Sequence, residues 1–286
     1  MISLYELYKI KYAAPVPLSH CRINKRYLLD REGIGEDGSA LLFLMPYYKR
    51  ASFGGNVSMY AAARDYHLFF KSLADDLIPR LCGGTEKDAK FAAYADHSPI
   101  SEMYAAAIAG LGVLGENGLL INDEYSSFCF IGGIYSSIAH TEWRELVAEA
   151  KIPDKYELSH CKKCGACAAA CPAACIGGDL SRCRSYITQK KRLDEGDADI
   201  IKDAEYVWGC DICQNVCPVT RSAEAVGTLE SPIDFFGENT IPNLTAEALD
   251  DLVLSGEFEK RAFSWRGADV IMRNLKIKEG RYDADT

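Results

Sequence analysis

Eight cysteines in two runs carry the most specific chemistry in this sequence. The first run, HCKKCGACAAACPAAC, sets Cys161, Cys164, Cys167 and Cys171 in the spacing C-x2-C-x2-C-x3-C, with Pro172 after the last. The second, looser set is Cys183, Cys210, Cys213 and Cys217, and Pro218 follows the last of these. Thiolates at x2 spacing can wrap three irons of one cubane, while the fourth, beside a proline, lies too far along the turn and reaches a neighbouring cluster. The spacing therefore predicts two [4Fe–4S] clusters with crossed ligation: Cys161, Cys164, Cys167 and Cys217 on one, and Cys171, Cys183, Cys210 and Cys213 on the other. Zinc also favours paired C-x2-C, but four ligands satisfy each ion. That would leave the third x2-spaced cysteine and the two Cys-Pro ends without a use.

The elements that position these thiols belong to a chain of 286 residues, 48% of them hydrophobic, long enough for two modest domains with their own cores. No run approaches the ~18–20 uninterrupted apolar residues of a membrane span. Glu6, Lys9 and Lys11 interrupt any signal-peptide core, so a cytoplasmic protein with no membrane partner is expected. Twelve cysteines could suggest a disulfide scaffold, but the four outside the cluster pattern, Cys21, Cys82, Cys129 and Cys175, are scattered and are expected to be buried thiols. A net charge of −9 argues against a broad nucleic-acid surface. A local basic set of Lys162, Lys163, Arg182, Arg184, Lys190, Lys191 and Arg192 could still hold a phosphate or an acidic redox partner, or simply balance the acid-rich stretch from Asp194.

Along the chain, SLYELYKIKYAA reads as a short helix, followed by a link broken at Pro15 and Pro17. ALLFLMPYY, from Ala40, reads as a buried strand, and NVSMYAAARDYHLFFKSLADDLIPRL as an amphipathic helix with Phe69, Leu73 and Leu77 on its apolar face. FAAYAD is a strand that delivers Asp96 at its end, and Ser98-Pro99 marks a helix start. The next segment, GLGVLG from Gly110, matches the dinucleotide fingerprint G-x-G-x-x-G. A helix precedes it and a strand follows, the reverse of the order that seats a pyrophosphate on a helix N-terminus, so no nicotinamide site is expected. GLLIN and SFCFIGGIYSS read as a hairpin with a bulge at Gly132-Gly133. TEWRELVAEAK, LTAEALDDLVLS and KRAFSWRGADVIMRNLKI read as helices, and KEGRYDADT as a frayed end.

In order, the segments ARDYH, Asp96-x-x-Pro99, AGLGVLGENGLLIN, EYSSFCFIGGI, HCKKCGAC, CRSYIT and WGCDICQNVCP resemble the epoxyqueuosine reductase family over about residues 40–275. The resemblance implies an α+β protein: a cobalamin-binding α/β domain (1–155), a ferredoxin-like double-cluster domain (156–222) and a short C-terminal helical extension (223–286). It implies two [4Fe–4S] clusters and cobalamin as cofactors, and a low-potential donor of ferredoxin or flavodoxin type. Asp96 is implied as the proton donor in a reductive deoxygenation. Tyr66 and His67 would contact corrin or substrate, Ser185 and Tyr186 would face the corrin from a cluster-ligand loop, and Gly112 and Gly115, with Asn117, would allow close backbone approach. Each of these also has an ordinary structural reading, as a helix-entry aspartate, a helix-face histidine or a turn glycine.

Two departures bear on substrate. Glu116 stands where the family usually has lysine, and the family's tRNA-holding helical repeats would begin just after Arg273-Asn274, so a short form without them is expected. The leading expectation is thus a cobalamin-dependent reductase of a small or modified-nucleoside substrate, with tRNA as a disfavoured partner. A minimal epoxyqueuosine reductase acting on tRNA is the second reading. A non-catalytic electron carrier or corrinoid-reactivating protein is the third; bound corrinoid and turnover without a second protein separate it from the others.

Overall fold

Every position of the strand β2 (Ser39–Pro46) is buried. A strand turns alternate side chains to opposite faces, so complete burial requires cover on both sides. In a computed structural model, which describes residues 1–86 and 88–282, helices supply that cover. Ala40, Leu42 and Leu44 pack with Ala105, Ala106 and Ile108 of the helix Glu102–Ile108. From the other face, Phe43 stacks on Phe70 of the helix Tyr66–Gly83, with ring centroids 6.2 Å apart. The sheet runs β1-β2-β6-β3, with β1 at Ala13–Pro17, β3 at Phe91–Tyr94 and β6 at Cys129–Ser136, and every pairing is antiparallel.

The chain divides into two compact units, residues 1–46 with 67–163, and 47–66 with the remainder from 164 onward. The first holds the sheet. Trp143 is fully buried in it and donates its indole N–H to Ser39 Oγ at 2.8 Å, a pairing whose loss would cost about 1–3 kcal/mol. The second unit has its own core, in which Trp208 and Phe263 meet edge to face and are joined by Val57, Leu249 and Ile271.

Several local readings change in the fold. Pro15 and Pro17 lie inside β1 rather than in a broken link, because β1 is an edge strand and a missing N–H is tolerated there. GLLIN does not pair with β6. Its β5 (Leu120–Ile121) folds back on β4 (Val113–Leu114), and β6 pairs with β2 and β3 instead. Gly132 and Gly133 are not a bulge but sit in an unbroken register opposite Phe43 and Leu42. A Cβ on Gly132 would meet Phe43 Cε2 at 2.6 Å and Phe70 Cε2 at 2.8 Å, so glycine is what lets the aromatic layer close over the sheet. The long amphipathic helix is interrupted: Met59–Ala62 ends at an extended Ala63, and a new helix begins at Tyr66.

The helix after Ser98-Pro99 starts only at Glu102, and the one expected across KRAFSWRG starts at Ala268. Arg26–Glu32 is helical, which the Gly-rich approach to β2 did not suggest. Of the four cysteines outside the cluster pattern only Cys175 is buried; Cys82 is exposed, and Cys21 and Cys129 are half-buried. The last four residues of the segment expected to fray lie outside the described residues.

Candidate functional site

The approach to the first cysteine run is fastened to the turn that mimics a nucleotide fingerprint. Leu114 N donates to Ser159 O and Cys161 N donates to Leu114 O, both at 2.9 Å. The glycines of that turn serve close packing. A Cβ on Gly112 would lie 2.5 Å from Ile121 O, and one on Gly115 would lie 2.3 Å from Asn117 Oδ1. Asn117 Oδ1 accepts from Leu119 N, which closes the β4–β5 connection. Gly112, Gly115 and Asn117 therefore gather in one turn.

In the second unit the cysteines hang on short helices set off by left-handed residues. Lys163 and Gly165 have φ of 51° and 74°, and the helix Ala166–Ala170, with Cys167, begins directly after them. Cys171 lies just beyond its C-terminal end, and Ala174 again turns left-handed at φ 47°. Cys213 sits on the helix Ile212–Asn215, which packs against Ala166–Ala170. Cys217 precedes the helix Pro218–Val226, and Pro218 occupies a first-turn position that needs no N–H donor. Cys183 joins a single turn at Leu180–Arg182 to the helix Arg184–Ile187. No disulfide joins any of the twelve cysteines, and seven of the eight cluster-pattern thiols are half-buried, with Cys164 exposed. Such a set suits thiolates that bind a cluster near a surface, where an electron donor can approach.

Two residues that the sequence pattern did not single out hold this segment in shape. Asp211, between Cys210 and Cys213, is buried; its carboxylate accepts from Ser58 Oγ, from Met59 N at 2.7 Å and from Gln214 Nε2 at 3.1 Å. Burial pushes its carboxyl up, and those three donors pull it back. Gly209, at φ 74°, presses on the same loop, since a Cβ there would lie 2.4 Å from Ser58 Cβ. The second is the buried Cys175, whose Sγ lies 3.4 Å from Cys171 Sγ. A ninth thiol thus touches one of the predicted ligands.

Ser185 and Tyr186 follow Cys183 directly. The Ser185 carbonyl accepts from Thr188 Oγ1 and Gln189 Nε2, and the Tyr186 ring is 53% exposed. Arg184 Nε is buried without a hydrogen-bond partner among the described residues. Lys190 does not belong to a free basic face: its Nζ is held by Asp194 at 2.8 Å and Asp197 at 2.7 Å. Lys162, Lys163, Arg182, Lys191 and Arg192 are exposed.

Asp96 lies past the end of β3, exposed, with φ 61°, a conformation a side-chain-bearing residue holds only when its surroundings impose it. Its N–H donates to Glu102 Oε2 at 3.1 Å, and its carbonyl accepts from Ser98 N at 2.9 Å. Ser98 is buried and hydrogen-bonded through Oγ to Tyr135 OH at 2.7 Å. Glu102 was not among the expected site residues. Burial pushes its carboxyl up to about 8; the charge of Asp96 adds to this, while the Asp96 N–H, the Ser98 hydroxyl and His67 work against it. His67 is exposed near the start of the helix that begins with the half-buried Tyr66. Among the described residues no three His, Cys, Asp or Glu side chains converge as ligands of a single ion would, and no helix is long and apolar enough to cross a membrane.

Residues 160–220 match a 4Fe-4S double cluster binding domain. The chain is 31% identical to an epoxyqueuosine reductase of Gloeobacter violaceus over 223 residues, 76% of this chain and 64% of that protein. It is 31% identical to one of Lactococcus garvieae over 239 residues, 80% of this chain and 61% of that protein. It therefore spans somewhat less than two thirds of the length of these relatives. In fold it is similar to the epoxyqueuosine reductase of Streptococcus thermophilus, with a TM-score of 0.70 at 22% identity over 99% of this chain and 80% of that one. An epoxyqueuosine reductase solved with an epoxyqueuosine-modified tRNA-Tyr stem loop gives a TM-score of 0.70 at 20% identity, over 99% of this chain and 81% of that one. By sequence over most of its length and by fold over nearly all of it, this chain is a relative of the epoxyqueuosine reductases and carries a double 4Fe-4S domain.

Proposed function

We propose that the chain is a cytoplasmic cobalamin- and [4Fe–4S]-dependent reductase that removes an oxygen atom from an oxidised, modified-nucleoside type of substrate. The observation that carries this reading is the conjunction of a double-cluster segment with the strained, exposed Asp96 turn in a chain related to epoxyqueuosine reductases. Cys161, Cys164, Cys167 and Cys217 would hold one cluster, and Cys171, Cys183, Cys210 and Cys213 the other. The donor chemistry fits: thiols outside any disulfide, a left-handed turn between Cys161 and Cys164 and another between Cys164 and Cys167, and a proline-led helix after Cys217. For a corrin, the exposed Tyr186 ring, three residues past Cys183, is a surface that a planar cofactor could cover. Cobalamin, when bound, supplies metal-centred reduction, fed one electron at a time by the clusters from a ferredoxin- or flavodoxin-type donor.

The chain's own residues do the rest. Removing an epoxide oxygen as water takes two electrons and two protons, and Asp96 is the side chain we assign to deliver a proton at the breaking C–O bond. Its left-handed turn projects it beyond the sheet edge, exposed and so within reach of a substrate. A Bacillus subtilis relative has been solved with the aspartate of its catalytic loop swung out of the active site. Such a motion suits a loop that is held by few hydrogen bonds.

The net charge of −9 and the capture of Lys190 by two aspartates support a substrate other than whole tRNA. The relative solved with a tRNA stem loop favours tRNA as the second reading. One experiment separates them: anaerobically reconstituted protein, cobalamin and a low-potential reductant are incubated with epoxyqueuosine-containing tRNA or with the free nucleoside. Multiple turnovers on tRNA refute the small-substrate reading, and turnover of the nucleoside alone supports it. If the electron paramagnetic resonance spectrum of cob(II)alamin is unchanged at saturating protein, the cobalamin reading fails and a plain electron carrier replaces it.

A further inference from the structure

Glu102 is a carboxyl that the proposed reaction leaves unused. It opens the helix Glu102–Ile108, and its two oxygens have different environments. Oε1 is buried without a hydrogen-bond partner, and Oε2 accepts the backbone N–H of Asp96 at 3.1 Å. A glutamate in a first helical turn usually serves the helix from solvent, where it costs nothing to desolvate. This one instead reaches back along the chain to the residue whose φ of 61° needs a reason. The Asp96 turn has three hydrogen bonds of its own: the Glu102 bond, Ser98 N to Asp96 O, and His97 N to Ala95 O at 2.7 Å, which closes across Asp96. Ser98 is anchored to Tyr135, so the second bond is fixed by the sheet, and the first is the one a side chain can change.

We propose that Glu102 is the positioning residue of the Asp96 turn, and that uptake or release of its proton resets how firmly that turn holds Asp96. This rests on the reading of Asp96 as the acid. The groups facing Glu102 are Asp96 and Ser98 from the turn, His67 from the helix Tyr66–Gly83 and Tyr135 from β6. Burial, with the Asp96 charge added, puts its titration at about 8. Near neutrality Glu102 therefore carries a proton and accepts the Asp96 N–H through a neutral oxygen. As pH rises through that value the proton passes to solvent and the acceptor becomes an anion. The hydrogen bond then strengthens as Glu102 gains its charge.

The test follows the Asp96 amide resonance of the full-length, 15N-labelled protein with both clusters in their oxidised form, across the neutral and mildly alkaline range. In the parent the resonance is expected to move in one step centred near Glu102's titration. In Glu102→Gln, which keeps an oxygen acceptor but cannot titrate, it should stay near the parent's low-pH position. In Glu102→Ala it should shift at every pH, and kcat should fall about tenfold with little change in KM. Glu102→Gln should keep neutral turnover and lose the alkaline inflection of the pH profile. A parent resonance that does not titrate, or a step that persists in Glu102→Gln, overturns the proposal. Normal turnover by Asp96→Asn would overturn the acid reading beneath it. A flat Asp96 resonance in a protein whose Asp96→Asn variant is inactive overturns the role of Glu102 alone.

Discussion

The cysteine segment and the Asp96 turn solve the placement of reactive groups in opposite ways. In the segment, position is set by covalent spacing: x2 intervals, left-handed Lys163 and Gly165, and helices of four or five residues leave few other arrangements. At Asp96, position is set by hydrogen bonds to side chains and backbone of the turn itself, through Glu102 six residues on, and by the Ser98–Tyr135 pair, which ties the turn to β6. The first kind of site tolerates changes around it as long as the ligands remain. The second depends on its surroundings as much as on the reactive group itself.

The largest effect expected from this contrast is at Asp96. Asp96→Asn should lower turnover by about 10²–10⁴-fold, the usual worth of a positioned general acid, with iron content and cobalamin binding unchanged. Turnover within severalfold of the parent would show that the strained turn has another purpose. Next comes the crossed ligation. Cys217→Ser should reduce iron from about eight per chain to about four, because it removes one cubane's remote ligand. Loss of all iron would mean that the two clusters assemble as one unit, and stoichiometric zinc in freshly purified protein would remove the cluster reading altogether.

Support of the segment can be tested at Gly209, where a Cβ would meet Ser58 at 2.4 Å and φ is 74°. Gly209→Ala should destabilise the protein by about 2–4 kcal/mol, from left-handed strain together with overpacking, as read from the denaturation midpoint. An unchanged midpoint would show that the loop bearing Ser58 moves freely. The smallest effect is expected at Cys175. It touches Cys171 but lies outside the ligand spacing, so Cys175→Ser should leave iron content at the parental value. A loss of iron there would move Cys175 into the ligand set.

The parts of this protein that could be read from its sequence are those set by neighbours in the chain. The eight-cysteine spacing, the strand at β2, the helix Ala246–Leu254 with its cap Thr245, whose hydroxyl oxygen accepts from Ala248 N, and the reversed order around Gly110–Gly115 all depend on residues a few positions apart. The position of Asp96 just past a strand was readable, although its left-handed turn was not. Other features were decided by tertiary structure. Pro15 and Pro17 become strand because β1 lies at a sheet edge, and GLLIN pairs with β4 because β2 and β3 already take both edges of β6. Residues 47–66 leave the sheet unit for the second because Asp211, Trp208 and Pro242 provide their hydrogen-bond partners. Lys190 changes from a free cation to a half-buried ion-pair partner of Asp194 and Asp197, and Glu102 from an unremarked helix-start residue to the acceptor of the Asp96 N–H. The physical reason is common to these cases. Ligand spacing and side-chain periodicity are local, whereas desolvation and the satisfaction of buried polar groups depend on partners that only folding brings together.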